Sequence, residues 1–176
     1  VAVSCGVLLQ SGVALADGER FSDFTPLAAS AAPTADESMP ITFGNARFVQ
    51  RSIADRAFQL ADGVPNSGNW DMNTLNESGE DKRRFLFTVF ETGQAGVQRH
   101  DLLTGRTDTV WQSLAPLDHV AFDASFWTPW GTLITAEESW TTAAGGATSP
   151  YGRVFELKNP LQAPGRVDVT AHVDFQ

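Results

Sequence analysis

From residue 83 onward the apolar positions fall into short runs divided by turn residues. Residues 85–90 (FLFTVF) predict a strand, Thr92 and Gly93 a turn, and residues 96–100 a second strand. A turn at residues 103–105 and a third strand over 107–112 (TDTVWQ) follow. The same succession then returns. Residues 133–138 (LITAEE) lie over 86–91 (LFTVFE), 152–158 (GRVFELK) over 96–101 (GVQRHD), and 167–170 (VDVT) over 107–110 (TDTV), with the loop 139–150 absorbing the difference in spacing. A multi-strand repeat of ~40–50 residues is the pattern of a β-propeller blade, which cannot bury both faces alone. Propellers close with ~4–8 blades. The expectation is an all-β fold, a partial β-propeller of about two four-stranded blades over residues 67–176, cut from a longer protein. A small meander or sandwich with hairpins alike by chance is the other reading.

The first third of the chain has no such period. Residues 1–16 are mildly apolar, uncharged and end in small residues before Asp17, Gly18, Glu19 and Arg20. They read as the remnant of a secretory signal peptide, which would place the protein in the periplasm or outside the cell. An apolar first strand or helix is the alternative. Residues 17–66 read as an irregular N-terminal extension, with a Pro-bearing linker at 27–40 and one short helix over 52–60, capped by Ser52 and apolar at Ile53, Ala57 and Leu60.

Composition narrows the function classes. Twelve Lys and Arg against 21 Asp and Glu give a net charge of −9, so no basic patch is available for nucleic acid. The single Cys, Cys5, excludes a disulfide framework and a zinc site built from Cys pairs. No run approaches the ~18 apolar residues of a spanning helix, so no transmembrane segment is expected. Five Trp and 12 Phe against one Tyr suit packing between blades, and Trp70, Trp111, Trp127, Trp130 and Trp140 are assigned there in preference to a sugar platform.

The candidate chemistry follows from the strand order. If 133–138 is the second strand of its blade, residues 124–127 form the innermost strand and 128–131 the hairpin turn. Asp123 then stands at one mouth of the channel, and Glu137 and Glu138 end the neighbouring strand at the same mouth. Three such carboxylates would suit a hard cation such as calcium. Solvated rim charges are the plainer reading of the same spacing. Adjacent strand residues face opposite ways, so one of the two Glu would join Asp123. Glu138 is favoured, because Glu91 holds the same strand-end place in the first repeat. His100, His119 and His172 are isolated in sequence, Ser139 lacks a nucleophile-elbow context, and Asn76 to Ser78 match a glycosylation sequon.

The stretch TPWGTLITAEE at 128–138, with YGRVFE at 151–156, resembles the PhoX-type alkaline phosphatase family of secreted bacterial proteins. FTVFETG at 87–93 and RHDLLTG at 99–105 are similar to that family's looser blade pattern, and the resemblance spans roughly residues 83–160. It implies a propeller of about six blades, hydrolysis of phosphomonoesters, and a calcium-and-iron cluster for which Glu137 and Glu138 occupy acidic ligand places. The family's iron-binding Cys is matched here by Asp123. Exchanging a soft thiolate for a hard carboxylate favours calcium or magnesium over iron. The alternative to an enzyme is a non-catalytic, calcium-stabilised propeller that binds a ligand or partner at the cell surface.

Overall fold

The computed structural model describes residues 50–138 and 151–172. The signal-peptide reading, Cys5, the 27–40 linker, Ser139 and Trp140 lie outside the described residues. The chain divides into two compact units, Val1–Arg51 and Ser52–Gln176, and the described elements belong to the second. They are α1 (Arg56–Ala61), β1 (Trp70–Leu75), β2 (Phe85–Phe90), β3 (Gly96–Asp101), β4 (Thr107–Gln112), β5 (Phe122–Trp127), β6 (Leu133–Glu137), β7 (Val154–Leu157) and β8 (Val169–His172).

The eight strands make two four-stranded antiparallel sheets, ordered β1-β2-β3-β4 and β5-β6-β7-β8. Each is a meander, and the two have the same order. The fold is all-β with little helix, as the apolar runs predict. Three details differ. The helix starts at Arg56 and is capped by Asp55, whose carboxylate accepts the Phe58 N–H at 3.0 Å; Ser52 instead donates to the Ala54 carbonyl. An unforeseen strand, β1, supplies the first edge of the first sheet. The repeat register also shifts. Val89 pairs with Val97 where Ala136 pairs with Val154, so Val97 answers to Val154 and the alignment of Gly96 with Gly152 is one residue out. In the outer strands Thr107 answers to Val169, not to Val167, since they pair with the equivalent residues His100 and Leu157. In a strand one residue of slip turns every side chain to the other face, so pairing decides this better than similarity does.

The two sheets stack face to opposite face. Phe87 and Val89 on β2 and Val97 on β3 point toward the second sheet, where Phe122, Trp127, Leu133, Phe155 and Leu157 complete one buried cluster. Phe87 stacks on Trp127 with centroids 5.6 Å apart, and Trp111 on Phe122 at 5.5 Å. Leu133 answers to Leu86, which lies on the far side of the first sheet. The second sheet therefore meets the first with the face that the first turns away. Polar bonds tie the edges: Thr74 and Ser125 hydroxyls meet at 2.5 Å, Trp127 Nε1 donates to Ser78 Oγ, and Arg99 donates to the carbonyls of Pro160 and Gln162. Trp111 and Trp127 thus pack between sheets as expected, whereas Trp130 is 70 % exposed.

The far face of the first sheet is covered in part by the segment that carries α1. Gln59 Oε1 accepts from Gln98 Nε2 and Asn66 Nδ2, and the Pro65 carbonyl accepts from Thr109 Oγ1. On β3 this side presents Gln98 and His100 where the equivalent positions of β7 hold Phe155 and Leu157. Asn76 is fully buried, with its amide bonded to the Asp81 carbonyl and the Phe85 N–H, so the sequon side chain pins the β1–β2 turn and is not presented for glycosylation.

Gly96 is fixed by a close approach. A Cβ there would lie 2.6 Å from the ring of the fully buried Phe90. Gly96→Ala should cost about 1–3 kcal/mol by overpacking, read in urea unfolding. Combined with Phe90→Leu, the pair should be less destabilised than the sum of the single changes. Strict additivity would remove the contact as a constraint.

Candidate functional site

Both sheets build the same device at one end of their first two strands. In the first, Trp70 pairs with Phe90, the register then shifts, and pairing resumes at Asn73 with Thr88. In the second, Phe122 pairs with Glu137, the register shifts, and pairing resumes at Ser125 with Thr135. Asp71 and Asp123 occupy the same place in these irregular stretches, each directly after an aromatic residue. Asp123 therefore lies inside β5, one residue past its start, not ahead of it. The residues before the aromatics, Asn69 and Ala121, have left-handed backbones, with φ of 44° and 45°. Their carbonyls accept the N–H of Glu91 at 2.9 Å and of Glu138 at 2.8 Å. Each strand end thus sets one Asp and one Glu beside a positive-φ residue.

Stacking brings the two copies of this device together. The carboxyl of Asp71 has Asp123 and Glu91 as neighbours, and its pKa is raised, first by partial burial and then by their two negative charges. Glu91 and Glu138 line one cleft of about 340 Å³, with Thr92, Val120, Ala121 and Tyr151 among its walls. The connection between sheets is fixed there by backbone bonds: Ala121 N–H to the Thr92 carbonyl, Leu117 N–H to that of Gly93, and Ala95 N–H to that of His119.

Glu137 goes elsewhere. Its side chain is wholly buried, and Arg153 grips it with Nε at 2.9 Å and Nη2 at 2.8 Å. The backbone N–H groups of Val120 and Arg153 add two more bonds, and Arg153 also donates to the Asp118 carbonyl. The carboxylate is thus held by four donors, and the contact locks residues 118–120, which lead into Ala121 and Asp123. The equivalent positions in the first sheet hold Phe90 and Gly96, so one large-with-small apolar pair corresponds to one ion pair. Of the three acids singled out in the sequence, Asp123 and Glu138 share this end of the structure with Asp71 and Glu91, while Glu137 is engaged in the core. Among the described residues no three His, Cys, Asp or Glu side chains converge in a metal-ligating arrangement.

Asp71 and Arg153 were not foreseen. Asp71 had a signal, since Trp70 with Asp71 matches Phe122 with Asp123, but without β1 the match has no place to stand. Arg153 gives no local signal.

The histidines have structural partners. His100 is buried between the hydroxyls of Thr107 at 2.9 Å and Thr88 at 3.2 Å. His119 packs against Trp111 and Phe155, with Asp118 Oδ2 3.1 Å from its Nδ1. His172 meets Glu156 at 3.0 Å. Thr132 and Trp130 also donate to Glu156, and these bonds, the Thr132 hydroxyl first, lower its pKa.

No protein-family model, no curated protein and no solved structure matches the chain.

Two outcomes are expected. Glu137→Gln should destabilise by about 2–3 kcal/mol in urea unfolding, because it leaves the partly buried Arg153 against a neutral partner. Glu137→Phe together with Arg153→Gly installs the first sheet's pair and should regain most of that loss; a double variant worse than Glu137→Gln would show the two sites are not interchangeable. Burial lowers the His100 pKa to about 4, from 6.5. The unfolded chain therefore takes the proton first, so stability is full above pH 6.5, declines as pH falls toward 4, and levels off below. Over that window the wild type should lose up to a few kcal/mol that a His100→Asn chain does not lose, measured as the difference between their melting curves.

Proposed function

We propose that the chain is part of a secreted β-propeller of the PhoX phosphatase type, with a calcium site where its innermost strands meet. Two four-stranded meanders of one order, stacked face to opposite face, support the propeller. The cation site rests on one observation. The Asp-and-Glu device occurs in both sheets, with Asp71 beside Asp123 and Glu91, and with Glu91 and Glu138 lining one cleft. All four are hard oxygen donors, which suits calcium and not a thiolate-bound iron. Burial first, and then repulsion from Asp123 and Glu91, raises the Asp71 pKa, and a divalent cation would relieve the second of these.

In this reading Asp123 and Glu138 ligate, Asp71 and Glu91 supply the neighbouring carboxylates, and Glu137 acts through Arg153 to hold the loop that aims them. A bound cation supplies charge compensation for a phosphomonoester and activation of an oxygen nucleophile. The chain's own residues would orient that cation, and Thr92 and Tyr151 line the cleft with Glu91 and Glu138. The second reading is a calcium-stabilised binding propeller without turnover. It is favoured by the engagement of Glu137, which leaves fewer carboxylates than the family pattern implies.

Calorimetric titration with calcium should show binding that Asp123→Asn and Glu138→Gln each weaken by about ten-fold or more, a loss of ~1.4 kcal/mol. Glu156→Gln, on β7 and away from that end, should leave the affinity unchanged. Hydrolysis of a chromogenic phosphomonoester, lost on chelation and restored by calcium, separates the enzyme from the binding protein. No heat of binding, or equal effects of all three changes, would reduce these acids to surface charges.

A further inference from the structure

The far face of the first sheet carries a pocket of about 410 Å³. Its floor is Leu86, Thr88 and His100, with Asn73 paired to Thr88 on the same face, and residues 52–54 form a wall. Trp70 and Asp71 also line it, and Trp70 takes no part in the buried cluster between the sheets. The floor is a hydrogen-bond chain of fixed direction. Burial keeps His100 neutral, so one ring nitrogen donates and the other accepts. The Thr88 hydroxyl donates to Asn73 Oδ1 at 2.6 Å and therefore accepts from His100 Nε2 at 3.2 Å. Nδ1 then accepts from the Thr107 hydroxyl at 2.9 Å. The chain ends at the exposed Asn73 amide, which donates one N–H to the Asp71 carbonyl at 3.3 Å and keeps a second. In the same lining, Trp70 Nε1 is buried with no partner among the described residues. A buried donor left unmade is costly, and it marks a place for an acceptor.

We propose that this pocket binds a neutral polyhydroxyl ligand about the size of one sugar ring. The charges and the unused donors select that class. An anion is repelled: among the described residues no Lys or Arg lines the pocket, and Asp71 stands there with Asp123 and Glu91 as neighbours. An ammonium has no acceptor to offer the Trp70 indole or the Asn73 amide. A hydroxyl serves both needs, accepting from either N–H while donating to the Asp71 carboxylate. Ile53, Leu86 and the Trp70 ring supply apolar surface for the C–H side of such a ring. The volume also lies within the ~300–1,000 Å³ of small-molecule pockets. The site is built from the first sheet and residues 52–54 alone, so it needs neither the cation nor the stacking of the two sheets.

The test is a titration of the isotope-labelled full chain, with EDTA present, followed at the tryptophan indole N–H resonances. The Trp70 resonance is assigned by its loss in Trp70→Phe, and the remaining indole resonances show that each variant is folded. The probes are D-glucose, D-galactose, D-mannose and myo-inositol, with inorganic phosphate and methylammonium as charged counterparts. At least one of the neutral probes should shift the Trp70 resonance saturably, with a Kd on the order of 1 mM. The resonance of Trp130, which is exposed and outside the pocket, should stay in place. Trp70→Phe, read by saturation transfer to the probe, and Asn73→Ala should each weaken binding by about ten-fold or more. No saturable shift with any neutral probe, the result for a pocket holding only water or another segment of this chain, overturns the proposal. So does a stronger response to phosphate or methylammonium, full binding by both variants, or a shift seen only when calcium replaces the EDTA. Each of these leaves the cation reading to its own titration.

Discussion

The stacking of Phe87 on Trp127 and of Trp111 on Phe122 is the contact on which the described structure depends. Among the described residues α1 is a single helix of six residues over part of the first sheet, so the two sheets bury their apolar sides chiefly against each other. The outer groove between β4 and β8, about 570 Å³ and walled by Val110, Trp111, His119 and Phe155 among others, shows that the sheets diverge away from β1 and β5. Contact is therefore closest at the first strands, where Thr74 meets Ser125. The candidate site sits at this tight side because the stacking places it there. Carboxylates that each belong to one sheet become neighbours only through that contact.

Polar groups set the relative position of the sheets, and apolar ones supply the adhesion. Arg99, the Trp127 indole and the backbone bonds from residues 117–121 to the β2–β3 turn each join the first sheet to the second. Glu137 with Arg153 extends this principle inward. A buried ion pair adds little net stability against an apolar equivalent, but it is demanding in geometry. The cost of mispositioning residues 118–120 is therefore high, and Asp123 follows them directly.

Sequence patterning revealed seven of the eight strands, because β2 to β8 are bounded by turn residues and carry β-branched or aromatic side chains at alternating places. It missed β1, whose Asp71, Met72 and Asn73 have weak strand preference and whose register breaks at that point. The strand is held by pairing with β2 and by packing against β5, neither of which is local. Asp123 and Glu138 could be placed because hairpin geometry alone brings a strand's start to its neighbour's end. The engagement of Glu137 could not, since Arg153 follows it across a loop whose length hides the pairing. Similarity also misled the register: Gly96 and Gly152 are alike as residues, yet Gly96 is a contact for Phe90 and its positional counterpart is Arg153.

That counterpart relationship bears on how two similar repeats avoid exchanging parts while they fold. Tandem units of like sequence are prone to pair a strand of one with a strand of the other. A β2 strand seeking β7 would press Phe90 onto Arg153, and a β6 strand seeking β3 would bury Glu137 beside Gly96 with no guanidinium within reach. Both crossed pairings are penalised, one by bulk and one by an uncompensated charge, while both native pairings are satisfied. The divergence of these two positions gives each repeat a private complement and makes the correct assembly distinguishable from its nearest imitation.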